Sequence, residues 1–129
     1  MRLLVDTHVL AWFVGGSDLL PLSMRQSLAS GVNVVFVSPV SAYEISLKFK
    51  RGFWPEVSVL AADFERVCDA AGFIPLPIEA RHAREAGALP LMHRDPFDRI
   101  LAAQSMVEQM PIVSLDGKLD AFPITRVWA

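Results

Sequence analysis

The sequence predicts an α/β fold with a mostly parallel central sheet of four to five strands flanked by helices. Two observations lead there. Short apolar, β-branched runs alternate with segments of helical periodicity, and Gly or Pro marks the changeovers. Strands that alternate with helices join through right-handed crossovers, which puts helices on both faces of the sheet. The 129 residues have the size of one ordinary domain, and no repeat, low-complexity segment or linker divides them. Residues 1–129 are therefore expected to form a single domain.

"RLLV" (2–5) reads as the first strand and "THVLAWFV" as the start of a helix. "GGSDLLPLS" punctuates, and residues 22–30 look helical. "NVVFV" (33–37) is a second strand, ended by "SP", with a helix from about Pro39 to Arg51 that "GFWP" stops. Next comes the clearest helical pattern. Val57, Leu60, Ala61, Phe64, Val67, Cys68 and Ala71 recur at i, i+3, i+4, i+7, and Gly72 stands where a terminating glycine belongs. "FIPL" (73–76) reads as a short strand at or near an edge, because its prolines cannot donate to a ladder. A brief helix is expected over about 79–86, and another from the "DPFD" segment to about Gln109. "IVSL" (112–115) and "ITRVW" (124–128) complete the strands.

Composition narrows the class. Hydrophobic content of 53% and a mean hydropathy of +0.38 imply a dense core, with apolar surface left over for a partner. No apolar run approaches the roughly 20 residues of a membrane span, and the start lacks the features of a signal peptide. The single cysteine excludes an internal disulfide and fits a reducing cytoplasm. Cys68 falls on an apolar helix face and reads as core. A net charge of −2 and a pI near 5.9 argue against an overall basic nucleic-acid binder. They leave room for a nuclease, because acids gathered in one pocket lower the net charge while the phosphate grip stays local.

The acids are the most informative feature. Sites in open α/β sheets form beyond the carboxyl ends of the strands. Asp6 directly follows the first strand and Asp116 the fourth. Glu44 lies near the start of the helix after the second strand, and Asp98 on the first turn of the helix leading into the fourth. All four are delivered to one end of the sheet. Each also has a plain local role: Asp6 or Thr7 as a cap, Ser41 and Glu44 at capping-box spacing, Asp95 and Asp98 as helix starters around Pro96, Asp116-Gly117 as a turn. Their coincidence favours a shared site. Crowded carboxylates either hold protons or bind a cation. Hard oxygen donors, with no cysteine cluster or zinc-spaced histidine pair, favour Mg²⁺ or Mn²⁺. Such ions activate water and neutralise a phosphodiester, so phosphate-ester hydrolysis is the expected chemistry.

"LLVDTHVLAW", "SAYEISLK", "HRDPFDRILAAQS" and "IVSLD", in that order from Arg2 to Trp128, resemble PIN-domain proteins. More narrowly they resemble the VapC-type toxins of prokaryotic type II toxin–antitoxin pairs. The resemblance implies a PIN-like domain and a metal-dependent endoribonuclease that cuts RNA, often structured or transfer RNA, and is silenced by a small VapB-like antitoxin. By that resemblance Asp6, Glu44, Asp98 and Asp116 are the metal-binding and catalytic acids, with Glu44 either a ligand or the group orienting water. Thr7 and Ser114 match hydroxyl positions beside the metal, and Asp95 supports as a cap or outer acid. A homodimer is also implied.

Around the acids the alternatives stay open. Lys48 lies one turn beyond Glu44, where it can meet a phosphate or pair with Glu44. Arg94 and Arg99 can grip RNA phosphates, though Arg99 can equally pair with Asp95 and fix the loop. His93 fits a loop hydrogen bond better than substrate contact, and His8 and His82 read as structural. "KFKRGFWP" (48–55) can stack bases, pack, or form with Trp12, Phe13 and "DLLPL" an apolar groove for the antitoxin. Two other function classes compete. One is aspartyl-phosphate transfer, which wants a second acid where His8 stands. The other is an idle PIN-like binding module that keeps its acids for folding.

Overall fold

The computed structural model describes Met1–Ala129. Five parallel strands form one sheet: β1 (Arg2–Val5), β2 (Val34–Val37), β3 (Ile74–Pro75), β4 (Ile112–Val113) and β5 (Arg126–Val127), in the order β3-β2-β1-β4-β5. The central β1 pairs Leu3 with Val35 and Val5 with Val37 on one side, and Val5 with Val113 on the other. Its side chains alternate between two cores, as a pleated strand covered on both faces requires. Leu3 and Val5 enter a cluster with Val9, Leu10, Ile45, Leu60 and Cys68. Leu4 points the other way, into a cluster with Leu89, Leu101, Ala102, Ile112 and Phe122. Cys68 is buried, as its helical position implied.

The helices are α1 (Thr7–Gly15), α2 (Leu22–Ala29), α3 (Pro39–Lys50), α4 (Ser58–Ala62), α5 (Phe64–Ala70), α6 (Ala80–Ala88) and α7 (Pro96–Glu108). None is long and apolar enough to cross a membrane. The start of α3 corrects one expectation. Ser38, not Ser41, is the N-cap, accepting from the Val40 amide with Pro39 in the first position. Glu44 therefore lies in the second turn and takes no part in a capping box.

The single helix expected over 57–71 is also corrected. A 3-10 turn at Pro55–Val57 leads into α4, and Asp63 breaks the chain from α4 into α5 with φ −154° and ψ 67°. Val57, Leu60 and Cys68 all face the same core despite the break. Two short helices bent over a curved core keep the apolar spacing of one straight helix, so periodicity does not register the kink. The positive φ of Gly72, +79°, does end α5 as its glycine implied. The strands β4 and β5 are shorter than expected: the Ser114 amide still donates to the Val127 carbonyl at 3.2 Å, and pairing ends there.

This topology positions the site. After β3 the chain returns to the far side of β1 to lay down β4, so the strand order switches direction beside β1. A crevice opens there at the carboxyl ends of β1 and β4.

Candidate active site

Asp6 is the first residue beyond β1 and the N-cap of α1: one carboxylate oxygen accepts from the Val9 amide at 2.8 Å. The other accepts a hydrogen bond from the Ser114 hydroxyl. Ser114 is fully buried just past β4, and its Oγ also accepts from the Asp116 amide at 3.0 Å. One hydroxyl thus joins the two strand ends at the switch point. Asp116 in turn caps a 3-10 turn, Gly117–Ala121, through the Lys118 amide. Thr7 is buried and shares a hydrogen bond of 2.9 Å with the Ser41 hydroxyl, which fixes the start of α1 against α3.

From the opposite wall α3 presents Glu44, 8% exposed, with Lys48 Nζ 2.6 Å from its carboxylate. Helix α7 presents Asp98 in its first turn, 3.2 Å from His93 Nε2. Asp95 caps that helix by accepting from the Phe97 and Asp98 amides. Asp6, Glu44, Asp95, Asp98 and Asp116 all line one cleft of about 100 Å³, and Lys48 reaches it as well. The four acids singled out in the sequence are therefore brought together.

Electrostatics make the cleft receptive to a cation. Burial raises the Asp6 pKa above the ordinary carboxylate value, and the Glu44 charge adds to this against the hydrogen bonds from Ser114 and Val9. Burial likewise raises Asp98, with Asp95 and Asp116 adding and His93 opposing. Asp6, Glu44 and Asp98 also have side-chain partners of their own, Ser114, Lys48 and His93, whereas the Asp116 carboxylate accepts from the Lys118 amide.

The one trio of His, Asp or Glu side chains whose ligand atoms fall within 4.8 Å of one another lies elsewhere, at Glu79, His82 and Glu108. There His82 Nδ1 accepts from the Glu79 amide at 2.9 Å, which leaves the ring proton on Nε2 to donate to Glu108 at 2.7 Å. Arg81 sits 2.7 Å from the same Glu108 oxygen. Both ring nitrogens and the carboxylate are committed, so this trio ties α6 to α7 and offers a metal no free imidazole lone pair. His82 is structural, as read from the sequence.

Two expected phosphate contacts fare differently. Arg94 is exposed and forms neither hydrogen bond nor ion pair. Arg99 does not face the cleft: its guanidinium donates to the carbonyls of Ala86, Leu89, Pro90 and His93 at 2.7–2.8 Å. It fixes the α6–α7 loop, and by these carbonyls rather than by Asp95. The hydrogen bond expected for His93 is present, but its partner, Asp98, was not foreseen, nor was the exposed side of His8, which lies 4.8 Å from the Trp54 ring and 5.8 Å from that of Trp12. The i, i+4 spacing of His8 and Trp12 was the available signal.

Replacing Ser114 by Ala tests the bridge. Asp6 loses a donor and the Asp116 amide an acceptor, so a loss of about 1–2 kcal/mol in unfolding free energy is expected by denaturant titration.

The chain matches the PIN domain family over residues 3–124. No match is found among curated proteins. The fold is similar to that of a chain in VapBC2 from Rickettsia felis bound to a DNA fragment from their promoter, with a TM-score of 0.70 and 14% identity over 100% of both chains. A chain in FitAcB from Neisseria gonorrhoeae is similar at a TM-score of 0.68 and 19% identity, covering 98% of this chain and 96% of that one. FitAB bound to an IR36 DNA fragment follows at 0.60 and 16%, covering 97% and 93%.

Proposed function

Because the chain belongs to the PIN domain family, we propose that it is a divalent-metal-dependent endoribonuclease of the VapC type, the toxin of a toxin–antitoxin pair. The observation that carries this reading is the convergence of Asp6, Glu44, Asp98 and Asp116 on one cleft at the strand switch point. The donors fit a hard cation. All are carboxylate oxygens, two of them have raised pKa values, and the cleft balances them with little positive charge of its own.

Asp6, Asp98 and Asp116 would hold Mg²⁺ or Mn²⁺, with Glu44 as a further ligand or as the acceptor that orients the attacking water. The bound ion supplies Lewis acidity at the scissile phosphate and lowers the pKa of water. The protein's own groups then divide the remaining work. Ser114 and Val9 fix the Asp6 carboxylate, and the Thr7–Ser41 bond keeps α1 and α3 at a constant separation. Lys48 holds Glu44 in place and adds a positive charge for the phosphate. Arg94, exposed beside Asp95, is available to the RNA backbone. Among candidate RNAs, transfer RNA is the class to test first.

The antitoxin partner is proposed to cover exposed apolar side chains of the "DLLPL" segment, Leu22 among them. Solved relatives of the fold are VapBC2 and FitAB assemblies, which supports such a partner. We also propose that the toxin forms a homodimer and that residues 1–129 act as one domain.

The test is cleavage of total transfer RNA by antitoxin-free protein in Mg²⁺ or Mn²⁺ and in EDTA. Cutting is expected with either ion and lost in EDTA. Protein that binds neither ion and leaves every RNA intact would instead be a binding module whose acids serve folding.

A further inference from the structure

Beside the acidic cleft lies a second, larger cavity of about 710 Å³, within the range of small-molecule sites. The two share His8 and Lys48 on their linings, so they adjoin along one edge. The wall of the larger one is aromatic. The Trp54 and His8 rings lie 4.8 Å apart and tilted by 33°, and Trp12 continues the wall beyond His8 at 5.8 Å. Lys48 Nζ, which also holds Glu44, stands 5.9 Å from the centre of the Trp54 ring. Phe53 is 77% exposed on the rim. So large an apolar side chain, left in water at the mouth of a cavity, has a free face.

We propose that this cavity receives one unpaired nucleobase of the RNA strand whose phosphate lies in the acidic cleft, making Phe53 and Trp54 determinants of where the strand is cut. The proposal rests on the ribonuclease reading above. Flat aromatic faces stack any base, and a base in a duplex is not free to enter, so the pocket selects single-stranded loops or ends. The backbone between cavity and cleft passes Lys48, the cation on their common edge, which matches the phosphate's charge. Lys48 and Glu56 both interrupt the apolar lining, which suits a base with polar edges better than an unbroken apolar helix face.

The test uses the full chain and its Phe53→Ser variant, since the exposure of Phe53 makes that variant safe for folding. Substrates are RNA oligonucleotides with one cut site and an abasic nucleotide placed in turn on either side of it. On intact RNA, Phe53→Ser is expected to lower kcat/KM about tenfold, the weight of one base–aromatic stack. With the abasic nucleotide at one flanking position, wild type and variant should be equally slow. Equal kcat/KM and unchanged cut sites on intact RNA would overturn the pocket while leaving the ribonuclease standing. If wild type cuts nothing, the ribonuclease reading fails, and the pocket is judged by tryptophan fluorescence with an uncleavable 2′-O-methyl oligonucleotide in EDTA. Quenching that Phe53→Ser weakens supports base binding. Fluorescence that this oligonucleotide leaves unchanged, or that only a purified antitoxin quenches, overturns it.

Discussion

Replacing Asp98 by Asn is expected to lower metal-dependent RNA cleavage by about 100-fold or more and, at the same time, to stabilise the metal-free protein by about 1 kcal/mol. The two effects have one cause. Asp98 is held in a partly buried position facing Asp95 and Asp116, which raises its pKa. Its charge is therefore unfavourable to the metal-free fold and useful once a cation arrives. Asn keeps the shape and can still accept from His93. The sign of the pH dependence follows. With a folded pKa above the unfolded value of 3.8, the stabilisation from Asp98 is full below 3.8 and is lost as pH rises through the folded pKa. Asp6 behaves likewise. Metal-free wild type should thus gain from these two groups on mild acidification from pH 7, and Asp98→Asn should gain less. Added Mg²⁺ should reverse the order of the melting curves, because only the wild type keeps the full ligand set. A variant that cuts RNA at the wild-type rate would remove Asp98 from the site.

The positions of these acids were legible because they are set by strand ends. Asp6 follows the run "RLLV" and Asp116 follows "IVSL", and a parallel sheet sends both to one edge whatever the details of packing. What the sequence could not show is side-chain competition. The helix start at Pro39 was legible from "SP", but the Glu44 carboxylate, at capping-box spacing from Ser41, goes instead to Lys48. The break at Asp63 escapes because both short helices bury the same face. A shared surface of Trp12 with the Trp54 segment was among the readings, but the place of His8 between the two rings, some 40 positions from Trp54, is a contact that no local pattern encodes. Arg99 is the sharpest case. An arginine beside "DPFD" reads equally as a phosphate grip or as a loop-fixing partner of Asp95, and only the path of the α6–α7 loop reveals that it fixes the loop through carbonyls instead.

That loop gives the second large effect. The Arg99 guanidinium takes the carbonyls of Ala86 and Leu89 at the end of α6 and of Pro90 and His93 beyond it, each at 2.7–2.8 Å. The last carbonyls of a helix have no partner within it, and a cation there also meets the negative end of the helix dipole. Arg99→Met leaves the Leu89, Pro90 and His93 carbonyls without this donor and Ala86 with only the Leu89 amide, and the side chain that replaces it is uncharged. A loss of about 2–3 kcal/mol is expected, discounted for the partly exposed setting, or roughly 10 °C in melting temperature. Arg99→Lys should recover less than half, since one ammonium cannot reach four carbonyls spread across the loop as a planar fork does. The loop carries His93 and Asp95, which hold Asp98 and start α7, so cleavage should fall as well, through kcat, as the acid loses its fixed position. A phosphate-binding arginine would give the opposite result: unchanged melting with a raised KM. Hydrogen exchange at residues 89–97 separates the two directly. Amides there that exchange faster in Arg99→Met place the side chain in the scaffold, and amides that keep their protection return it to the substrate.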